Sequence, residues 1–256
     1  MVLAPPDFYD TLAEHYHLMF EDWNQSIERQ AAILNPLLHS QVPQSPLRIL
    51  DCACGIGTQA IGFAQAGHRV VGSDLSPGAV ARARREAEQR GLNISFAVSD
   101  MTSLTGFEEG AFDVVAVMDN ALPHLAAPQL SQALRAMSTK LKPNGLLMAS
   151  TRDYDQLISE RPVVQGPAFF GASENRRIVH QVWDWIDKER YVFHVYITVK
   201  SGDTWDSHHF ASEYRCLLRG ELSTALQEAG FGQVRWLMPS ESGYYQPIVV
   251  AKKEIR

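Results

Sequence analysis

Leu50-Asp-Cys-Ala-Cys-Gly-Ile-Gly-Thr58 is the stretch on which the fold turns. An apolar run, Leu47 to Cys52, leads into a turn with two glycines and then into a helix-like segment from Thr58 to Ala66. Glycine permits positive φ and lets a ligand lie close to bare backbone, so the segment reads as strand, ligand-holding turn and helix. Outward from it, strand-like and helix-like runs alternate as far as Tyr154. Further strands are expected at His68 to Ser73, Ile94 to Ser99, Phe112 to Met118 and Gly145 to Thr151, with helices at Pro77 to Arg90 and Pro128 to Leu141. Runs such as Val114-Val-Ala-Val117 and Leu146-Leu-Met-Ala149 are continuously apolar, as strands buried on both faces should be. Right-handed crossovers then give an α/β fold, a Rossmann-like, mostly parallel sheet with helices on both faces.

The flanks follow a different grammar. Residues 1-42 carry aromatic side chains among charges (Phe8, Tyr9, Tyr16, Phe20, Trp23) and a helical run from Gln25 to Leu38, closed by Pro43 and Pro46, which reads as an N-terminal helical cap. Val179 to Ile186, Arg190 to Lys200 and His209 to Leu217 alternate like strands around Asp187-Lys-Glu189 and Ser201-Gly-Asp203 turns. Residues 155-217 are therefore expected to form an inserted antiparallel β substrate subdomain. The core, 43-154, resumes over 218-256 with a helix from Arg219 to Ala229, stopped by Gly230, and strands Gln233 to Met238 and Pro247 to Lys252, the last antiparallel.

Composition narrows the function. Hydrophobic residues make up 45% and charged residues 20% of the 256, close to the globular average, so disorder and membrane spanning are poor explanations. A net charge of -6 gives no general attraction to phosphate backbones, and Arg82, Arg84 and Arg85 read as a solvated helix face, so nucleic acid is not expected as a partner. The first residues lack the basic and apolar regions of a secretory signal, and three cysteines make no disulfide framework; a cytoplasmic location is expected. Cys52-Ala-Cys54 has no second pair nearby, and His208-His209 lies in a strand, so no metal is expected. A small-molecule substrate remains as the partner, with a homo-oligomer left open.

Two acids follow the glycine turn at the expected strand ends. Asp74, about twenty residues on, is placed to accept both hydroxyls of a ribose. Asp100-Met101 suits an adenine amino group and an apolar ring contact. Gly55-Ile-Gly57-Thr-Gln-Ala60 also meets the degenerate dinucleotide fingerprint. Asp51, a partner for the cationic methionine end of S-adenosylmethionine, and the terminal strand pair favour that cofactor, with S-adenosylhomocysteine as product.

The chain here resembles the class I methyltransferases, and within them the glycine N-methyltransferase group and related bacterial small-molecule N-methyltransferases. The resemblance is carried by the glycine turn, Met118-Asp-Asn-Ala-Leu-Pro-His-Leu125, Leu141-Lys-Pro-Asn-Gly-Leu-Leu147 and Thr151-Arg-Asp-Tyr-Asp155. It implies methylation of the amine of a carboxylate-bearing metabolite or amino acid, with Asn120 holding the substrate and Arg152 clamping its carboxylate, a task that suits a planar guanidinium. Tyr9 and Arg29 would cover the methionine end, and Trp23, Ala53, Gly55, Gly57, Leu75, Met118 and His124 complete the implied cofactor site with Asp51, Asp74, Asp100 and Met101. His124 and Asp119, on the loop after the fourth strand, are the candidate proton acceptors beside Asn120; a packing role for His124, a turn role for Asp119 and pairing of Arg152 with Asp153 or Asp155 are the alternatives. Asp119 replaces a usual glycine, and Pro167-Ala-Phe-Phe170 stands where a tyrosine pair is expected, so Phe170 and Tyr244 are taken as substrate contacts in a pocket not shaped for glycine. Oxygen or carbon methylation, a non-methylating reaction of the same cofactor and a non-catalytic binding module are the competing functions.

Overall fold

The computed structural model describes residues 2–254. A short helix α1 (Pro5–Leu12) and a 3-10 turn (Tyr16–Met19) precede a long helix α2 (Trp23–Gln41), whose first turn is capped by the Asp22 carboxylate accepting from the Gln25 amide at 3.1 Å. The core then runs β1 (Arg48–Cys52), α3 (Thr58–Gln65), β2 (Arg69–Asp74), α4 (Pro77–Gln89), β3 (Ser95–Val98), β4 (Phe112–Val117), α5 (Ala127–Lys140) and β5 (Leu141–Ser150). After α6 (Tyr154–Glu160) come four strands, β6 (Val164–Phe170), β7 (Arg177–Trp185), β8 (Arg190–Ser201) and β9 (Thr204–Arg215). The chain closes with α7 (Arg219–Glu228), β10 (Phe231–Leu237), α8 (Pro239–Ser242) and β11 (Ile248–Lys253).

The large sheet has the order β10-β11-β5-β4-β1-β2-β3, all parallel except for β11, which runs antiparallel to both of its neighbours. The chain leaves β1 toward β2 and β3, then returns to β4 on the other side. That reversal opens a crevice at the carboxyl ends of β1 and β4. Asp51, in register with Gly72 on one side and Ala116 on the other, sits at the crevice floor.

Alternate residues of the same strands feed opposite layers. Leu50, Cys52, Val115, Val117, Leu147 and Ala149 join one apolar cluster, while Ile49, Val114, Ala116, Leu146 and Met148 join the other. Burial on both faces is why these strands are apolar without alternation.

The four late strands form a separate antiparallel sheet in the order β6-β7-β8-β9. Its inner face, with Trp183, Tyr191, Phe193, Val195 and Tyr214, belongs to the first of those clusters, so it packs as an extension of the core. Two elements here are absent from the sequence reading. Helix α6 begins directly after Asp153, whose carboxylate accepts from the Gln156 amide at 3.4 Å, and is only two turns long. Strand β6 is interrupted at Gly166-Pro167, where its register with β7 shifts, which erases the alternation that would have announced it. Among the described residues no helix is long and apolar enough to cross a membrane.

Candidate active site

The glycine turn is a backbone structure held from below. Ala53, Gly55 and Gly57 take φ of 60°, 54° and 96°. The Gly55 amide donates to Asp74 Oδ2 at 2.8 Å, and the Ser76 amide to Asp74 Oδ1 at 2.9 Å, so Asp74 ties the turn to the end of β2 while keeping further lone pairs free. Burial pushes the Asp74 carboxyl upward, against the pull of those amides. A methyl group at Gly55 would meet no protein atom within 4 Å, and the residue lines a cavity. Gly57 is different. A methyl there would stand 3.3 Å from Ile61 Cδ1 and 3.4 Å from Ala83 Cβ, so this glycine serves helix packing and lies off the cavity wall.

That cavity holds many of the side chains expected from sequence. Tyr9, Ala53, Gly55, Asp74, Leu75, Asp100, Met101, Met118, Asp119 and His124 all line it. Asp51 lies one layer behind, fully buried, with neither carboxylate oxygen hydrogen-bonded, and burial raises its pKa. Two residues stand elsewhere. Trp23 is buried but spends its indole N–H on Thr58 Oγ1 at 2.9 Å, behind the turn. Arg29 is exposed; α2 turns its Trp23, Ser26, Ile27, Gln30 face inward, and Arg29 sits about 200° from Ile27 at 100° per residue.

A second cavity of about 710 Å³ adjoins the first and shares Tyr9, Tyr16 and Asp119 with it. The loop after β4 is pinned at the junction. Asp119 and Asn120 both take positive φ; the Asp119 amide donates to Ser150 Oγ at 2.8 Å, and Asn120 Oδ1 accepts from the Arg152 amide at 3.0 Å. Asp119 is more than a turn residue. Its Oδ1 accepts from the hydroxyls of Tyr244, at 2.6 Å, and Tyr245, and its Oδ2 accepts from Gln59 Nε2 at 2.8 Å.

Arg152 points into this second cavity from an aromatic cage. Its guanidinium carbon lies 4.7 Å from the Trp183 ring centre, 4.8 Å from Phe193 and 5.5 Å from Tyr214, and Nη1 donates to the Tyr191 hydroxyl at 2.9 Å. Asp153 and Asp155 both pair with Arg219 instead. No described carboxylate lies within salt-bridge distance of Arg152.

His124 is held by the cap. Its Nε2 and the Tyr9 hydroxyl are 3.0 Å apart, and that hydroxyl is 3.1 Å from the hydroxyl of Tyr214. Burial lowers the pKa of His124 to about 4, so the ring is neutral near pH 7.

Two expected substrate contacts lie off the wall. Tyr244 is buried beside Asp119, and its neighbour Tyr245 lines the cavity instead. Phe170 lies under the guanidinium of Arg177, 5.1 Å away. Tyr16, Gln59 and Tyr214 are not among the residues expected at the site: Tyr16 is one aromatic of the cap among several, Tyr214 falls in an alternating strand, and Gln59 is an ordinary residue of α3 until Asp119 is folded against it. Among the described residues no three His, Cys, Asp or Glu side chains are grouped to hold a metal ion.

A doubly wound sheet whose crevice is walled by a glycine turn, an acid after β2 and an acid after β3, and roofed by an N-terminal cap, defines an enzyme that binds an adenosine-bearing cofactor beside a second substrate. Residues 49–145 match a family described as a methyltransferase domain. Over 242 residues, 92% of this chain and 80% of the relative, the sequence is 28% identical to glycine/sarcosine N-methyltransferase from Parasynechococcus marenigrum. Over 135 residues it is 38% identical to ubiquinone biosynthesis O-methyltransferase from Ruegeria pomeroyi, spanning half of that relative's length and 53% of this chain. The fold is also that of the amino pentose methyltransferase of calicheamicin biosynthesis from Micromonospora echinaspora, solved with S-adenosylmethionine bound, at a TM-score of 0.74 and 19% identity, covering 94% of this chain and 95% of that one. The chain is a class I S-adenosylmethionine-dependent methyltransferase acting on small molecules.

Proposed function

We propose that the acceptor is the amine of a small metabolite bearing a carboxylate and larger than glycine. Arg152 is the observation that carries this. A guanidinium lining a cavity, stacked on three aromatic rings and without an acidic partner, is matched by an anion that arrives with the substrate; a carboxylate meets its fork with two parallel hydrogen bonds. The name of the glycine/sarcosine N-methyltransferase relative supports an amino-acid-like acceptor. The cavity's 710 Å³ suits a bulkier one.

The first cavity fits S-adenosylmethionine. Asp74 would take the ribose, Asp100 and Met101 the adenine, and the Ala53 to Gly55 backbone the methionine end, whose positive charge would favour ionisation of the Asp51 carboxyl that burial otherwise holds toward its protonated form. When bound, the cofactor supplies a methyl group on a cationic sulfur. The protein contributes chiefly alignment, since an uncharged amine is already a good nucleophile. Arg152 fixes the carboxylate end of the acceptor and Asn120 braces the Arg152 main chain. Asp119, on the wall of both cavities, has one acceptor position left on Oδ2 after its three bonds, and this takes an amine N–H and steadies the positive charge that develops on nitrogen. His124, neutral and bonded to Tyr9, positions the cap rather than accepting the proton.

Incubation with S-adenosylmethionine and a panel of amino acids, amino sugars, amino-sugar acids, amines and phenols, read by S-adenosylhomocysteine release, tests the proposal. Turnover concentrated on carboxylate-bearing amines is expected. Turnover confined to oxygen or carbon acceptors would overturn it.

A further inference from the structure

The N-terminal cap roofs both cavities, but different parts of it do so. Pro5 and Pro6 line only the cofactor cavity, Tyr9 and Tyr16 line both, and Phe8 and Leu12 from α1 together with Met19 and Phe20 line only the acceptor cavity. The early part is tied down repeatedly. The Leu3 amide donates to the Ala211 carbonyl at 3.0 Å, Asp10 accepts from the Gly78 amide at 2.8 Å, and Glu14 pairs with Arg82 at 3.0 Å. Beyond it, Trp23 is anchored to Thr58.

The stretch between these anchors packs Leu18, Met19 and Phe20 against the apolar clusters, but its hydrogen bonds to the body of the protein rest on a single side chain. Arg177, the first residue of β7, donates through Nε to the Leu18 carbonyl at 2.9 Å and through Nη2 to the carbonyls of Phe20 and Glu21, the latter at 2.8 Å. These carbonyls sit at the C-terminal end of the Tyr16–Met19 turn, where a helix-like segment leaves its acceptors unpaired. Among the described residues, every hydrogen bond between Leu18–Glu21 and the body of the protein comes from this guanidinium. The group itself lies over the Phe170 ring, its guanidinium carbon 5.1 Å from the ring centre.

We infer that Arg177 is the latch of the acceptor site: by binding three carbonyls of the Leu18–Glu21 segment, those of Leu18, Phe20 and Glu21, it sets Met19 and Phe20, neither of which lines the cofactor cavity, against the acceptor cavity. Arg177 is a positioning residue. It acts on the acceptor through the cap and touches neither cavity. The inference rests on the acceptor site proposed above for the identity of its cavity, while its test separates the two.

Hydrogen exchange on full-length protein saturated with S-adenosylhomocysteine, compared between wild type, Arg177→Ala and Arg177→Lys, reads the latch without any acceptor. Exchange over Tyr16–Trp23 is expected to rise about tenfold or more in Arg177→Ala, the equivalent of one lost charge-assisted bond of about 1.4 kcal/mol, and to be intermediate in Arg177→Lys. The strands β7 to β9 and the S-adenosylhomocysteine Kd should stay within about twofold, which distinguishes a freed segment from a loosened fold. With whichever acceptor the panel identifies, of nitrogen or oxygen type, the acceptor KM should rise by a similar factor while kcat changes little. Unchanged exchange over Tyr16–Trp23 would overturn the latch, as would exchange raised equally across the whole protein or a loss confined to kcat. Failure of the carboxylate-amine proposal would show in the identity of the acceptor and leave the exchange result intact.

Discussion

Arg152→Met removes the feature on which the acceptor proposal depends, and its expected size follows from the geometry. The guanidinium is already oriented by Trp183, Phe193, Tyr214 and Tyr191, so a carboxylate gains two charge-assisted bonds at little ordering cost. Each is worth about 1.5–3 kcal/mol, and partial desolvation of both ions leaves a net of about 3–4 kcal/mol. In kcat/KM for the carboxylate acceptor this corresponds to a loss of roughly 150- to 1,000-fold. The matching carboxamide, which cannot form the ion pair, should lose less than about tenfold, so the variant's preference for acid over amide collapses. Arg152→Lys retains the charge without the fork or the stacking and should fall between. Stability should hardly suffer. The group is a half-buried cation without an acidic partner, and Tyr191 keeps its contact with the Tyr154 hydroxyl at 3.1 Å, so methionine in the same cage is expected to leave the Tm close to unchanged. Initial rates by S-adenosylhomocysteine release on the acid and amide, with calorimetric binding of S-adenosylhomocysteine as control, make the measurement. A variant that kept the wild-type discrimination between acid and amide would refute the clamp.

Three further outcomes are expected. Gly55→Ala should weaken S-adenosylmethionine binding more than about tenfold at a stability cost near 1 kcal/mol, since its methyl meets no protein atom but enters the cavity, whereas Gly57→Ala should cost more stability through φ of 96° and the Ile61 contact; titration calorimetry and thermal melts separate them. His124 has its pKa lowered from 6.5 to about 4, so it contributes stability that is present above pH 6.5 and is lost as pH falls toward 4; in urea unfolding, His124→Gln should narrow the stability difference between pH 7 and pH 4.5 by about 2–3 kcal/mol, and an unaltered difference would contradict the buried neutral ring. Asp74→Asn replaces one of two oxygens that accept from the Gly55 and Ser76 amides by an N–H₂, so it removes a bond of the glycine turn together with an acceptor for the ribose, and should raise the S-adenosylmethionine Kd by one to two orders of magnitude, roughly 1.5–3 kcal/mol, with the acceptor KM little changed.

How much of this was legible in sequence depended on how local each cause is. The parallel core was readable because strands covered on both faces must be apolar throughout, and Val114 to Val117 obeys that without knowing its neighbours. The inner strands β7 and β8 announced themselves by alternation, while β6 was hidden by Gly166-Pro167 and α6 by its brevity. Helix α2 was legible as an element, but which of its faces turned inward was not, and so Arg29 was placed at the cofactor when it stands in solvent.

By itself, then, the sequence determined the doubly wound sheet, the glycine turn and the acids at the strand ends, because backbone freedom, burial on two faces and a carboxylate after a strand are properties of a few neighbouring residues. Only the tertiary structure decided which charges are spent and which remain available. Asp153 and Asp155 sit beside Arg152 in the chain, yet Arg219, brought in at the head of α7, takes both. Sequence offers Asp119 both as a proton acceptor and as a turn residue; Tyr244 and Tyr245, from the far end of the chain, and Gln59, from α3, converge on its carboxylate only in the fold. Pairing between charges is set by distance in space, and the order of residues along the chain does not carry that distance.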